Sequence, residues 1–347
     1  MTGMEDQRTP PLREHQAGGE AVYTRPAGRS VPVQHDDLAA GYAALREAAA
    51  LVDLSHRTVL RLSGKKAVEL LNSVLTNQVP EGAHLGVYAL LLNPKGRIQT
   101  DLRLLKGDID VLIDVEPEGA AAAKELLGRY APFYRVGVED LSETDASWGV
   151  LGLYGPRAGD LLDGPELAEH ETAGRTVGAA TVLVAGVSAP VPGYDLLGPA
   201  DALSAAREHL AGRGAVSCAG FVAYETARIE AGIPRFGSDI TPDNFPAEAG
   251  ILERAVSFEK GCYPGQETVA RMHYRGHPNR LLRRLIADGP SPEPGAPIVQ
   301  NAKQVGRITS VAPLPVNGQT LALGYLSRNA DTQDELRAGD AVLGFLP

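Results

Sequence analysis

Apolar and polar positions along this chain fall into short stretches whose period changes several times. Leu38, Tyr42, Leu45 and Val52 recur at near-helical spacing, which predicts a first helix capped by Asp36 or Asp37. Positions 59–62 read as a short strand, and Val68, Leu71 and Leu75 put one apolar stripe on a helix over 65–75. The apolar run 87–92, the turn Asn93-Pro94-Lys95-Gly96 and a second run 97–105 predict a β-hairpin. In its second strand Ile98, Thr100, Leu102 and Leu104 share one face, while Gln99, Asp101 and Arg103 share the other. That polar face is either a solvated surface carrying an ion pair or a carboxylate turned into a ligand cleft.

A strand over 110–115 and an Ala-rich helix over 118–130 continue the pattern. A second set opens with a strand at 150–154 and a helix entered through Gly155-Pro156-Arg157, where proline suits the first turn. Strands follow at 181–187 and 194–197, with a helix at 200–210 and another ending at Gly232. From about Leu281 short apolar pieces broken by Pro, Gly and Asn read as a small β-barrel or sandwich. Helices and strands interleave without a regular βαβ repeat, so the expected class is α+β. Residues 1–34 carry no periodic apolar pattern that could offset the entropy of ordering, and are expected to form a flexible tail. The expected division is a tail at 1–34, an α+β region at 35–278 and a barrel at 279–347.

Composition narrows the class. A chain of 347 residues with 44% hydrophobic and 22% charged positions can bury a sizeable core and is expected to divide into two or three domains. The net charge of −10 argues against nonspecific binding of duplex nucleic acid, without excluding a local basic cleft. No apolar run approaches the roughly 18 residues of a membrane span, and the N-terminus lacks a signal-peptide stretch, so the expected location is cytoplasmic. No Rossmann or P-loop glycine signature is present. Two cysteines, Cys218 and Cys262, make no disulfide framework and cannot fill a four-thiolate site. Cys218 has no charged neighbour and reads as buried or inert. The spacing of His56, His273 and His277 matches no metal template, and no metal is assigned.

Candidate chemistry concentrates in residues 260–267, Lys-Gly-Cys-Tyr-Pro-Gly-Gln-Glu. On an extended segment Lys260 and Cys262 would share one face, where the ammonium favours the thiolate. The plainer alternative is a small buried thiol in a Gly-rich turn.

This octapeptide resembles the signature of the YgfZ group of folate-binding proteins, relatives of the glycine-cleavage T-protein, an aminomethyltransferase that uses tetrahydrofolate. Asp53-Leu54-Ser55-His56, the hairpin 93–101 and Arg228-Ile229-Glu230-Ala231-Gly232 are similar to further elements of that family. The resemblance implies a ring of three domains around a folate channel, two α+β subdomains followed by a C-terminal barrel. It implies that Glu230 binds the pterin edge, whose adjacent N–H donors suit a bidentate carboxylate. Arg228, Arg271 and Arg103 are candidates for the carboxylate tail of folate, and Tyr263 and Gln266 for shaping the thiol pocket. Where aminomethyltransferases carry two consecutive acids on the hairpin, this chain has Thr100-Asp101 and keeps one. Besides a folate-binding scaffold without any catalytic thiol, two functions follow from the resemblance. The first is a tetrahydrofolate-binding accessory protein for iron–sulfur cluster assembly or repair, with Cys262 as its thiol, Lys260 beside it and iron–sulfur proteins as clients. The second is a folate-dependent aminomethyltransferase or demethylase-like enzyme with Asp101 as its acid or base.

Overall fold

The computed structural model describes residues 22–24, 31–34, 38–108, 110–215, 220–330 and 334–346. Most of the expected tail, the caps Asp36 and Asp37, and Cys218 lie outside the described residues. Within the tail, β1 (Val22–Thr24) and β2 (Val31–Gln34) pair antiparallel. Helix α1 (Leu38–Glu47) then ends earlier than its spacing predicts, and β3 (Ala50–Asp53) follows at once. The reason is burial: all four residues of β3 are covered, Leu51 on one face and Ala50 and Val52 on the other, which an edge strand packed between two cores can satisfy and a one-sided helix cannot.

The first sheet is built from β4 (Thr58–Ser63), β5 (Val87–Leu92), β6 (Ile98–Lys106), β7 (Val111–Val115) and β8 (Gly137–Asp140), with α2 (Ala67–Val74) after β4 and α3 (Pro117–Tyr134) after β7. Its strand order is β5-β6-β7-β4-β8. On β6 the alternation read from the sequence is realised: Ile98, Thr100, Leu102 and Leu104 are buried, and Leu102 and Leu104 share a core with Leu70, Leu71, Ala123 and Leu127. Gly119 on α3 lets the helix sit on the sheet, because a Cβ there would lie 1.9 Å from Thr100 Oγ1.

The second sheet takes β9 (Gly149–Tyr154), the four-residue α4 (Ala158–Leu161), β10 (Thr172–Val177), β11 (Ala180–Val187), β12 (Gly193–Gly198) and α5 (Ala200–Gly212). Its order is β10-β11-β12-β9-β3, so β3 crosses from the N-terminal part of the chain to pair with β9, Ala50 opposite Tyr154. The two α+β parts are thereby interleaved. Between the sheets a core of Leu54, Val59, Leu105, Leu112, Val150 and Leu197 meets Phe221 and Ala223 of α6 (Gly220–Glu230). Helix α6 stops at Gly232, whose φ of +71° permits the bond from the Ile233 amide back to the Arg228 carbonyl, 3.0 Å.

Helices α7 (Leu252–Ala255) and α8 (Gln266–Arg275) lead into the last part. There β13 (Arg280–Asp288), β14 (Pro297–Gln300), β15 (Lys303–Val311), β16 (Thr320–Ser327), β17 (Leu336–Ala338) and β18 (Ala341–Phe345) close as a barrel in the order β13-β16-β15-β14-β17-β18. The class is α+β with a C-terminal barrel, and closure leaves no free sheet edge there.

Candidate functional site

Strand alternation turns Asp101 and Arg103 away from the α2–α3 core and into a cavity between the two sheets and α6. The hairpin supplies Tyr88, Asp101 and Arg103 to its walls, the first sheet and its edges supply His56, Arg57 and Glu116, and the second sheet supplies Tyr154 and Asp195. Phe221, Tyr224 and Arg228 of α6, with Arg235, Glu169, His170 and Arg254, complete the lining.

Sheet register creates the charge network. Arg103 stands directly opposite Asp114 on β7, and its Nε donates to Asp114 Oδ2 at 2.8 Å. Arg57 donates to Asp114 Oδ1 at 2.6 Å and also to Glu116. Arg103 reaches across to Asp195 Oδ2 at 2.5 Å, and the Tyr154 hydroxyl donates to the other oxygen of that carboxylate. Burial alone would raise the pKa of Asp114; Arg57 and Arg103 overcome it and hold the group down at about 2.

Asp101 stands outside those pairs. Its carboxylate accepts from the Tyr88 hydroxyl at 2.8 Å, since Tyr88 faces Arg103 across the hairpin and so lies diagonal to Asp101 on the same side. Burial first, and then the charge of Glu116, push the Asp101 carboxyl up to about 6 against the pull of Tyr88 and Arg57. Burial and the charge of Asp101 hold the Tyr88 phenol protonated. The pair therefore offers a carboxyl that gains and loses a proton near neutrality, oriented by a fixed phenol donor.

Two further cavity groups have unused hydrogen-bonding atoms. Glu116 Oε2 is buried without a hydrogen-bond partner, as are Nε and Nη1 of Arg235. They flank one aromatic wall: the Arg235 guanidinium lies 5.5 Å over the Phe221 ring, and His56, 5.2 Å from Phe221 edge-on, is 3.9 Å from Glu116 Oε2. An acceptor and donors beside a ring face suit a flat heterocycle that both donates and accepts. His170 also lines the cavity, on a backbone with φ of 63°; burial, then Arg103 and Arg254, lower its pKa to about 3, so the imidazole is neutral.

Of the residues singled out in the sequence, the structure brings Asp101, Arg103 and Arg228 to this cavity. Arg228 is fully engaged there, by Glu225 at 2.8 Å and Asp239 at 2.7 Å, so its role is to brace the wall. Glu230 is elsewhere. Two residues along α6 from Arg228, it points to the other side of the helix, where its carboxylate accepts from the Tyr42 hydroxyl at 2.6 Å and Arg46 at 2.7 Å. No residue of the octapeptide lines the cavity. Lys260 is buried and its Nζ donates to the Asn72 carbonyl at 2.8 Å and to that of Leu75, the C-terminal end of α2. Cys262, in contrast, is exposed. The shared face expected from strand alternation does not form, because residues 256–265 are irregular and the two side chains part company. Burial lowers the Lys260 pKa to about 8. Tyr263 is buried under the Lys260 ammonium, 5.1 Å from its ring centre, Gln266 opens α8, and Arg271 is exposed on that helix.

Tyr88, Glu116, Asp195, His170 and Arg235 were not read from the sequence as site residues. Hairpin counting from the Asn93–Gly96 turn would put Tyr88 opposite Leu102, on the wrong face; a β-bulge between the pairs Leu91–Thr100 and Leu92–Ile98 shifts the register by one and brings it beside Asp101. The others arrive from distant segments and leave no local signal.

A family model described as the GCVT N-terminal domain matches residues 13–260. The aminomethyltransferase of Moorella thermoacetica is 29% identical over 332 residues, covering 92% of this chain and 89% of that protein. That of Streptomyces avermitilis is 30% identical over 324 residues, covering 88% and 86%. The crystal structure of glycine cleavage system aminomethyltransferase T from Bartonella henselae has a similar fold, with a TM-score of 0.86 over 99% of this chain and 97% of that one, at 24% identity.

Proposed function

This chain belongs to the GCVT N-terminal domain family, and on that premise we propose that it is a folate-dependent one-carbon transferase of the aminomethyltransferase type, with the cavity around Asp101 as its active site. The observation that carries the reading is Asp101 itself: a cavity carboxyl poised at about 6, held by Tyr88 at 2.8 Å and left out of the neighbouring ion pairs. Tetrahydrofolate supplies secondary amines that carry a one-carbon unit. Glu116 Oε2 and the unused donors of Arg235 are the groups that would hold its aminopyrimidinone edge, against the Phe221 ring. Arg254, at the rim beside Glu169, is placed for a carboxylate tail. Asp101 takes up or returns the proton of the reacting amine, and Tyr88 fixes which oxygen is turned to it. This assignment replaces Glu230, whose carboxylate is occupied outside the cavity. Turnover of an aminomethylated carrier protein with tetrahydrofolate tests it. Asp101→Asn is expected to lower turnover about 100-fold or more; equal turnover by the two proteins would sink the assignment.

A second reading, the YgfZ-type accessory role in iron–sulfur cluster assembly or repair, is supported by one observation. Cys262 is exposed in a complete Lys-Gly-Cys-Tyr-Pro-Gly-Gln-Glu loop that Lys260 anchors to α2. The thiol is then available to a partner protein, not to a ligand in the cavity. In a deletion strain with a defective iron–sulfur enzyme, wild type restores activity and Cys262→Ala does not; equal rescue removes the thiol from the function.

A further inference from the structure

Outside the cavity, the outer face of the barrel meets residues 243–248 and the hairpin turn in an open groove. Register sets its chemistry. Arg307 on β15 stands directly opposite Tyr325 on β16, and Arg280 on β13 is diagonal to Tyr325, whose direct partner on β13 is Leu282. Three neighbouring strands, about 4.8 Å apart, thus present guanidinium, phenol and guanidinium in a row. Arg280 is pre-oriented, 5.1 Å over the Tyr325 ring and bonded to Glu248 at 3.2 Å and the Asp243 carbonyl at 2.9 Å. Arg97 reaches in from the hairpin, 4.6 Å over the Phe245 ring. Arg307 is exposed, and its guanidinium has no ion-pair partner among the described residues. Tyr325 is only 7% exposed, and its hydroxyl is buried without a hydrogen-bond partner. Three guanidiniums thus line the groove; Glu248 pairs with Arg280, and the Asp239 carboxylate behind Thr309 is already held by Arg228.

We propose that this groove binds an oxyanion of a small ligand, a phosphate or a carboxylate, between Arg280 and Arg307 with the Tyr325 hydroxyl as a third donor. An anion there neutralises the clustered guanidiniums and satisfies the buried phenol together. The groove is separate from the cavity but shares a wall with it: Thr309 donates to Asp239 at 2.5 Å, and Asp239 holds Arg228.

Isothermal titration of the full-length chain with inorganic phosphate and with succinate, each against sodium chloride at equal ionic strength, tests the site. Arg307→Gln and Tyr325→Phe remove no bond that the fold uses, and circular dichroism verifies that both are folded. Binding of either probe, weakened about tenfold or more in both variants, supports the site, and the probe that binds identifies the source. No binding of either probe, or binding unchanged in either variant, overturns it.

Discussion

Burial and the neighbouring charge of Glu116 raise the Asp101 carboxyl to about 6, so folding favours its protonated form. A raised acid contributes stability that is fully present below its unfolded value near 4 and is lost as pH rises through about 6. The stability of Asp101→Asn relative to wild type should therefore increase by about 2 kcal/mol between pH 4 and pH 8. Denaturant unfolding at several pH values measures this; a difference independent of pH would place the titration elsewhere. Period-2 alternation was enough to put Asp101 and Arg103 on one face. It could not say that Asp114 and Asp195 would claim Arg103 and leave Asp101 free to titrate, because those partners come from other strands.

At the scale of elements, the hairpin, β7, α3, β11 and α5 were legible because each is a contiguous run of one character, apolar or alternating in the strands and Ala-rich in the two helices. Strand β3 was not: its apolar residues fit a helix until β9 supplies a ladder on one side. The octapeptide loop was misjudged for a related reason. It has no partner strand, so alternation does not apply, and its shape is set by contacts at both ends. One end is Lys260 on the carbonyls of α2. The other is Gly265, with φ of +82° and a position where a Cβ would lie 2.6 Å from the Asn93 carbonyl oxygen of the hairpin turn. Gly265→Ala should lower stability by on the order of 2 kcal/mol or more, from positive-φ strain and the clash together. Thermal unfolding reads the change, and an unaltered midpoint would mean the turn and loop yield at no cost.

For the whole molecule, Asp239 is the joint between parts. It accepts from Arg228 of α6 at 2.7 Å and from Ser310 of β15 at 2.7 Å, with the residue 1% exposed. Asp239→Ala leaves the buried Arg228 cation with Glu225 as its one carboxylate partner among the described residues and removes the Thr309 and Ser310 contacts to the barrel, so a loss of about 3–5 kcal/mol is expected. Calorimetry that instead shows only a change below about 1 kcal/mol would mean that apolar contact between α6 and the barrel, through Ile229, Leu321 and Leu323, suffices for docking. By itself the sequence determined the local periods, hence most helices and strands, the α+β class with a C-terminal barrel, and the family motifs, since all of these are carried by residues adjacent or at fixed spacing in the chain. Only the tertiary structure decided which carboxylates and arginines enter the cavity, that Glu230 turns away from it, and that Cys262 lies outside it. Those outcomes depend on which strands pair and in what register, and a shift of one residue reverses the face of every side chain on a strand.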